Sequence, residues 1–379
     1  MSKKVFVGLS GGVDSSVAAA LLVEQGYEVV GVYMKNWSKD LPGFPCPWKE
    51  DYQDAKRVAV QLGIEFRMFD FEKEYFEKVV DYMLDGFRSG ITPNPDIMCN
   101  QEIKFKLFLD VALEQGADMI ATGHYAKVRA KSQTKTDTNS EITKTPDTRV
   151  KPLTDGENVI LNLLGVAKDD NKDQTYFLYR VTEAALGKTL FPLGDYTKPE
   201  VRELAKKFGL VTAAKKESMG ICFVGKVGIK EFLQQYVETA PGPIIDDKGK
   251  IIGEHDGAIF YTTGQRHGLN VGGGLPYYVV GKDMDKNEVY VTADIDDTRL
   301  WSKDFVINSA HWINDAPQNT DDLKVRTRHR ATPLSVVSIM KLDNGNWHIS
   351  LEEEVRALTA GQSAVFYQDG VCLGGGIII

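Results

Sequence analysis

Two hydrophobic patterns alternate along the first quarter of the chain. Lys4–Leu9 (KVFVGL) is almost wholly apolar, as a strand buried on both faces requires, and Ser15–Gln25 (SSVAAALLVEQ) joins helix formers to an apolar face. Glu28–Met34 repeats the strand pattern, Asp51–Leu62 reads as helix, Glu65–Phe69 as strand and Glu72–Phe87 as helix. A helix over Glu102–Gln115 then leads into a short apolar strand, Asp118–Thr122. Strands separated by helices predict βαβ units: an α/β domain on a parallel sheet, with right-handed crossovers and helices on both faces.

The pattern then breaks. Ala130–Val150 has six threonines and no aromatic residue, and it predicts a mobile surface loop because it offers little apolar area to offset ordering entropy. Structure resumes near Asn158–Leu164, followed by helical stretches at Gln174–Leu186 and Lys198–Phe208. After about residue 226 the texture changes again, with turns at Pro241–Pro243, Asp246–Gly249, Gly272–Gly274, Asp294–Asp297 and Asp343–Gly345 between short β-branched and aromatic segments. The expected organisation is an α/β domain over 1–226, a small central domain over 227–294 and an all-β, barrel-like domain over 295–379. No internal repeat is present.

Composition narrows the class. The 379 residues carry 53 acidic and 45 basic side chains, a formal charge of −8, with 42% hydrophobic and 26% charged residues, which excludes wholesale disorder. The longest apolar runs, Val17–Val23 and Val371–Ile379, fall short of the roughly 18 residues that span a bilayer. The N-terminus enters a strand without the apolar core and cleavage site of a signal peptide. Four cysteines in so long a chain are not a disulfide scaffold, so the expected location is the cytoplasm, with no membrane partner. No Cys-x-x-Cys or close Cys/His spacing invites zinc. The acidic total leaves nucleic acid open, because local basic patches decide phosphate contact.

The strongest local signal is Ser10-Gly11-Gly12-Val13-Asp14-Ser15-Ser16, between the first strand and the first helix. Paired glycines turn tightly and let several backbone N–H groups converge on an anion, at a helix N-terminus that favours phosphate. Neither Gly-x-x-x-x-Gly-Lys-Ser/Thr nor Gly-x-Gly-x-x-Gly is present, which argues against kinase-type and dinucleotide sites. The plainer reading is a glycine turn with Asp14 or Ser15 as a helix cap.

A second constellation is Thr92-Pro93-Asn94-Pro95-Asp96-Ile97-Met98-Cys99-Asn100, followed by Lys104 and Lys106. With Asn100 capping a helix from Glu102, Cys99 would precede a helix N-terminus with lysines one turn on, an environment that favours thiolate; Asp96 is a candidate general acid or base. Free cysteines are also commonly buried packing residues. Cys222, in Ser218-Met219-Gly220-Ile221-Cys222-Phe223, is a second candidate thiol, while Cys46 and Cys372 read as structural.

The loop Gly8, Leu9, Ser10, Gly11, Gly12, Val13, Asp14, Ser15 resembles that of the PP-loop ATPases, which cleave ATP between the α and β phosphates. The resemblance implies that Gly8–Ser15 hold the pyrophosphate end, that Asp14 helps hold Mg²⁺, and that adenine sits near Met34 with Gly123 at the same sheet edge. Beyond that loop, the whole chain resembles the tRNA-specific 2-thiouridylases. The match rests on Met34-Lys35-Asn36-Trp37, Thr92–Lys106, Ala121–Tyr125, Lys172–Leu178, Ser218–Phe223, Gly264–Leu269 and Gly361–Val365. It implies Cys99 as nucleophile, Cys222 as persulfide carrier, and Asn94, Pro95 and Asp96 at the target base, with Asp96 passing protons. It further implies His124, Lys172, Asp173, Gln174, Arg328, His329 and Gln362 as tRNA contacts. Two departures stand out: the long insertion Ala130–Val150, and His329 where an aromatic such as Tyr is expected.

The implied reaction is ATP- and Mg²⁺-dependent 2-thiolation of the wobble uridine in the anticodon loop. O2 is adenylated, a Cys222 persulfide delivers sulfur to C2, and a Cys99–Cys222 disulfide remains for reduction. The target base must leave its stack to be reached. The sulfur would come from a persulfide donor such as a cysteine desulfurase or a sulfur-relay protein. The competing classes are a small-molecule PP-loop ligase, weakened by the two cysteines and the lack of a glutaminase domain, and an RNA-binding protein with a vestigial nucleotide site. Lastly, Lys324-Val325-Arg326-Thr327-Arg328-His329-Arg330 predicts a strand with Lys324, Arg326, Arg328 and Arg330 on one face, a ladder of charges roughly 7 Å apart suited to RNA phosphates.

Overall fold

The structure, a computed structural model, describes residues 2–43, 45–134, 158–216, 228–269, 271–272, 274 and 276–379. Cys222 lies outside the described residues. Strands β1 (Lys4–Gly8), β2 (Glu28–Lys35), β3 (Glu65–Asp70) and β4 (Met119–Ala121) pair in parallel, and the order β3-β2-β1-β4 continues to a fifth strand, Thr189–Leu190. The chain steps outward from β1 to β3, then returns to pair β4 on the other side of β1. That reversal opens a crevice at the carboxyl ends of β1 and β4, where open α/β sheets bind ligands.

Helix α1 (Val13–Glu24) lies over the sheet. An apolar face was the expectation, but its small side chains are buried all round: Ala19 and Leu22 pack towards the sheet, and Val17, Ala18 and Leu21 against Val201 and Ala205 of helix Lys198–Lys207. A helix sandwiched in this way needs no amphipathic period. Helix α2 (Trp48–Leu62) follows β2. The helical stretch expected at Glu72–Phe87 runs over 72–88, with a widened turn at Phe76–Val80.

Three expectations need correction. The helix placed at Glu102–Gln115 starts at Pro95 and continues through widened turns at Cys99–Leu107 to Glu114. Asn94, not Asn100, caps it, accepting from the N–H groups of Asp96 (3.1 Å) and Ile97 (3.3 Å). The stretch Gln174–Leu186 is two separate helical turns, Thr175–Leu178 and Glu183–Leu186. The surface loop expected from Ala130 is strand as far as Thr134: β5 (Lys127–Thr134) forms an eight-residue antiparallel ladder with β6 (Asn158–Gly165). Its polar residues sit on an edge strand, which tolerates them. The remainder of that expected loop, 135–150, lies outside the described residues.

With β7 assigned to Thr189–Leu190, the central strands β8 (Gly242–Ile245), β9 (Ile251–His255), β10 (Tyr278–Asp283) and β11 (Glu288–Thr292) form a four-stranded sheet over Ile244, Tyr261, Val279, Val289 and Val291. The last six strands, β12 (Trp301–Trp312), β13 (Lys324–Arg326), β14 (Leu334–Lys341), β15 (Trp347–Arg356), β16 (Ser363–Gln368) and β17 (Val371–Ile378), run in the order β12-β15-β14-β13-β16-β17. Pairing of β12 with β17 closes them into a barrel around Ile307, Val325, Ile349 and Phe366. The β5–β6 hairpin then joins β17 through Leu164 and Gly165, extending the barrel sheet. Among the described residues, no helix is long and apolar enough to cross a membrane.

Candidate functional site

The loop after β1 sits in the predicted crevice. Gly11 has φ of 74°, and a Cβ there would lie 2.3 Å from the Asp51 carbonyl oxygen, so α2 leaves room only for glycine. Gly123, after β4, closes on the start of α1 so tightly that a Cβ would meet the Ser15 nitrogen at 2.7 Å. Met34 lies over Gly8. Ser16 donates to the Gly12 carbonyl at 2.7 Å, and Ser15 Oγ accepts from the Ser10 N–H at 3.2 Å, which holds the loop in its turn.

Asp14 is engaged on both oxygens. Lys198 Nζ lies 2.7 and 2.8 Å from them, and the Tyr125 hydroxyl donates to one at 2.9 Å. Tyr125 is in turn held by Gln174, whose Oε1 accepts from the Tyr125 N–H (2.9 Å) and whose N–H donates to the Tyr125 carbonyl (3.0 Å). The Mg²⁺ expected at Asp14 therefore meets an ammonium already in the cation position. Among the described residues, no three His, Cys, Asp or Glu side chains converge to hold a metal. The arrangement is a carboxylate–ammonium pair, which suits a protein-ligated metal poorly.

A cleft of about 260 Å³ opens on this loop, lined by Ser10, Gly12, Val13, Asp14 and Gly123 on one side and by Tyr125, Lys172, Gln174, Phe177 and Lys216 on another. His329 and Arg330, from the turn after β13, complete it. The His329 ring lies 4.4 Å from that of Phe177, so the histidine occupies the place of an aromatic platform. Burial, then the charges of Arg330 and Arg326, hold its pKa down to about 4, which leaves it neutral at pH 7.

Cys99 reaches this cleft indirectly. It is fully buried in the core with Ile97, Ile103 and Phe108, and its neighbour Asn100 donates to the Phe177 carbonyl at 3.0 Å. Cys99 therefore sits inside the first turns of a helix, rather than ahead of one. Asp96 is half-buried, one turn earlier. Cys46 donates weakly to the Trp37 carbonyl and Cys372 is enclosed beneath Thr175; burial pushes both thiols up, as packing residues should be.

The expected tRNA contacts divide. Lys172 and Gln174 line the cleft, but Asp173 is 2% exposed and accepts from the Ala167 N–H, Thr175 and Arg326. His124 is buried between Phe105 and Phe191, bonded through Nδ1 to Thr122 at 2.8 Å, with its pKa driven well down by burial and then by Lys104. Gln362 donates to the Thr92 carbonyl at 2.7 Å, tying the barrel to the Pro93–Pro95 segment. Arg328 donates to the Ala357 carbonyl (2.7 Å) and to Thr359 (3.1 Å).

The basic ladder does not form. β13 ends at Arg326, and 327–330 turn away, with Arg330 at φ of 61°. Lys324 bonds Ser335, Arg326 pairs with Asp173, and Arg328 ties loops together. Only Arg330 of the four enters the cleft. Alternation within a sequence fixes one face only while the strand lasts.

Lys198, Tyr125 and Lys216 were not among the expected site residues. A signal for Lys198 existed: it opens a helix directly after the Thr197 cap, where the helix dipole disfavours a cation unless an anion compensates it.

Residues 3–226 match the family described as tRNA methyl transferase HUP domain, 230–293 its PRC-barrel domain, and 302–378 the aminomethyltransferase beta-barrel domain. The chain is 45% identical over its full length to a protein of Idiomarina loihiensis named tRNA-specific 2-thiouridylase MnmA, covering 96% of it. Proteins of the same name from Methylobacillus flagellatus (46% identical, 99% covered) and Enterococcus faecalis (43% identical, 95% covered) match 100% and 99% of this chain. Among solved structures, a 4-thiouridine synthetase–RNA complex with bound ATP aligns with a TM-score of 0.33 at 17% identity, over 62% of this chain and 50% of that one.

Proposed function

The chain belongs to the tRNA-specific 2-thiouridylase family, a family of tRNA sulfurtransferases, and from that premise we propose that it carries out ATP-dependent 2-thiolation of the wobble uridine through O2 adenylation and a cysteine persulfide. The observation that carries this reading is the cleft shared by the Ser10–Asp14 loop, the Lys172–Phe177 segment and the barrel turn, one hydrogen bond from the Cys99 helix.

Uracil O2 attacks the α-phosphorus of ATP, the bond to the β-phosphate breaks, and pyrophosphate leaves with the electron pair. Loop N–H groups absorb the developing charge, and Asp96 accepts the N3 proton. The terminal sulfur of a Cys222 persulfide attacks C2 and AMP departs. Cys99 thiolate then attacks the Cys222 sulfur, leaving a Cys99–Cys222 disulfide and a sulfur anion on C2; the proton returns to the base. Magnesium arriving with the nucleotide would neutralise phosphate charge.

Nucleoside analysis of tRNA incubated with the protein, ATP, Mg²⁺ and a persulfide donor tests the reading. The expected product is 2-thiouridine at the wobble position, with AMP and pyrophosphate released. Cys222→Ser should abolish thiolation yet keep ATP-dependent adenylation. ATP turnover without a thiolated nucleoside, or driven by a small acid instead of tRNA, would replace the reading with that of a ligase.

A further inference from the structure

Three cationic side chains, Lys172, Lys216 and Arg330, line the cleft against one carboxylate, Asp14, which Lys198 and Tyr125 already satisfy. Among the described residues, Lys216 and Arg330 make no hydrogen bond or ion pair. Arg326 and Arg328, by contrast, are both consumed in structural bonds. Arg330 also holds a left-handed backbone at φ of 61°, a conformation costly for a long side chain and cheap for glycine. Strain of that kind persists where the surrounding structure enforces it, and it is concentrated at working sites. Here it brings a guanidinium from the barrel to a glycine loop of another part of the chain.

The geometry points to Arg330, seconded by Lys216, as a polyphosphate-binding residue that the barrel supplies in cis to the nucleotide loop. This rests on reading the cleft as the ATP site. When the α–β bond breaks, negative charge gathers on the departing pyrophosphate, and a planar guanidinium bonds two phosphate oxygens at once. Backbone N–H groups of the loop hold the phosphates from below; Arg330 closes from the barrel side. A site completed by two parts of the chain binds the β- and γ-phosphates only when the barrel turn is docked on Phe177. The nearby neutral His329 adds no competing charge.

Equilibrium binding of ATP and of AMP to the full-length protein, without tRNA, reads this directly. Arg330→Gly relaxes the left-handed backbone while deleting a side chain that makes no hydrogen bond or ion pair among the described residues, so it should keep a melting temperature near wild type; Arg330→Lys keeps the charge without the planar fork. Arg330→Gly is expected to weaken ATP by about tenfold or more, Arg330→Lys by less, and neither should shift AMP, which lacks the β- and γ-phosphates. Lys216→Ala should weaken ATP in the same direction. Unchanged ATP affinity in a folded Arg330→Gly protein, with tRNA affinity and its salt dependence reduced instead, overturns the assignment and makes Arg330 a tRNA phosphate contact. Wild-type protein that binds no ATP fails the cleft reading itself; ATP-binding protein that makes no 2-thiouridine fails the proposed function while leaving Arg330 in place.

Discussion

Arg326 Nη1 lies 3.2 Å from Asp173 Oδ2, which joins the end of strand β13 of the barrel to the Lys172–Gln174 segment that lines the cleft beside the Ser10–Asp14 loop. The carboxylate is all but fully buried and the guanidinium largely so, at 1% and 17% side-chain exposure. Two charges were withdrawn from water to make this joint, so its parts are worth most when both are present. Asp173 also accepts from the Ala167 N–H on Oδ1 and from Thr175 on Oδ2, so both of its oxygens are engaged.

Removing one partner should therefore cost far more than a surface ion pair. Asp173→Ala is expected to destabilise the protein by about 3–5 kcal/mol in urea unfolding. Arg326→Met should be milder, because its shape is kept and Asp173 retains two other donors. A double mutant whose loss equals the sum of the single losses would show that the pair is not coupled. Any fall in tRNA affinity after Arg326→Met then reports lost barrel docking, not a lost phosphate contact.

Lys198 makes a second prediction. It neutralises Asp14 in the cleft proposed for the ATP phosphates. Lys198→Met should leave an uncompensated carboxylate there and weaken ATP by about tenfold through repulsion. Adding Asp14→Asn should restore part of the loss, since the offending charge is then gone. Isothermal titration with ATP decides it: a double mutant weaker than Lys198→Met alone would mean that Asp14 binds nucleotide in its own right.

Much of this was legible in the sequence for physical reasons that can be named. β1 and β2 are buried on both faces, so their apolar runs could be little else, and Gly11 and Gly123 mark places where backbone touches backbone. What failed were inferences that extended a local pattern beyond its element. The alternation of Lys324–Arg330 outlived the strand that would give it meaning. The Cys99 helix begins ahead of the expected Asn100 cap because Asn94 followed by Pro95 is itself a sound helix beginning, a local signal that the pattern from Glu102 onward does not carry. The Asp14–Lys198 and Arg326–Asp173 pairs join residues far apart in the chain, and no periodicity reports such partners.

The hairpin gives a prediction that separates ladder from insertion. Thr134 and Asn158 face each other at the end of the β5–β6 ladder, so a two-residue Asn-Gly turn suffices to join them. Replacing 135–157 by that turn should leave the melting temperature and turnover near wild type. Replacing 131–147 by a Gly/Ser linker removes the paired residues Lys131–Thr134 and should lower the melting temperature measurably. Equal effects of the two replacements would place the stabilising contacts in the insertion itself.

Acid should destabilise the fold through its histidines before its carboxylates respond. Burial lowers the pKa of His124, His255, His311 and His329 alike, in the last case to about 4 from an ordinary 6.5. Below pH 6.5 the unfolded chain takes up protons that the folded chain refuses, so stability falls as pH drops, until the folded-state pKa is reached. For His329 the window runs from about pH 6.5 down to about 4, and its neighbours Arg326 and Arg330 keep protonation unfavourable throughout. His329→Tyr keeps a ring against Phe177 and removes one titrating group. Urea midpoints at pH 7, 6 and 5 should therefore decline less steeply in the variant than in wild type, with the curves diverging only below pH 6.5. Parallel curves across that range would mean that His329 is protonated in the folded protein as readily as in the unfolded one, and that the turn does not depend on its neutral ring contact with Phe177.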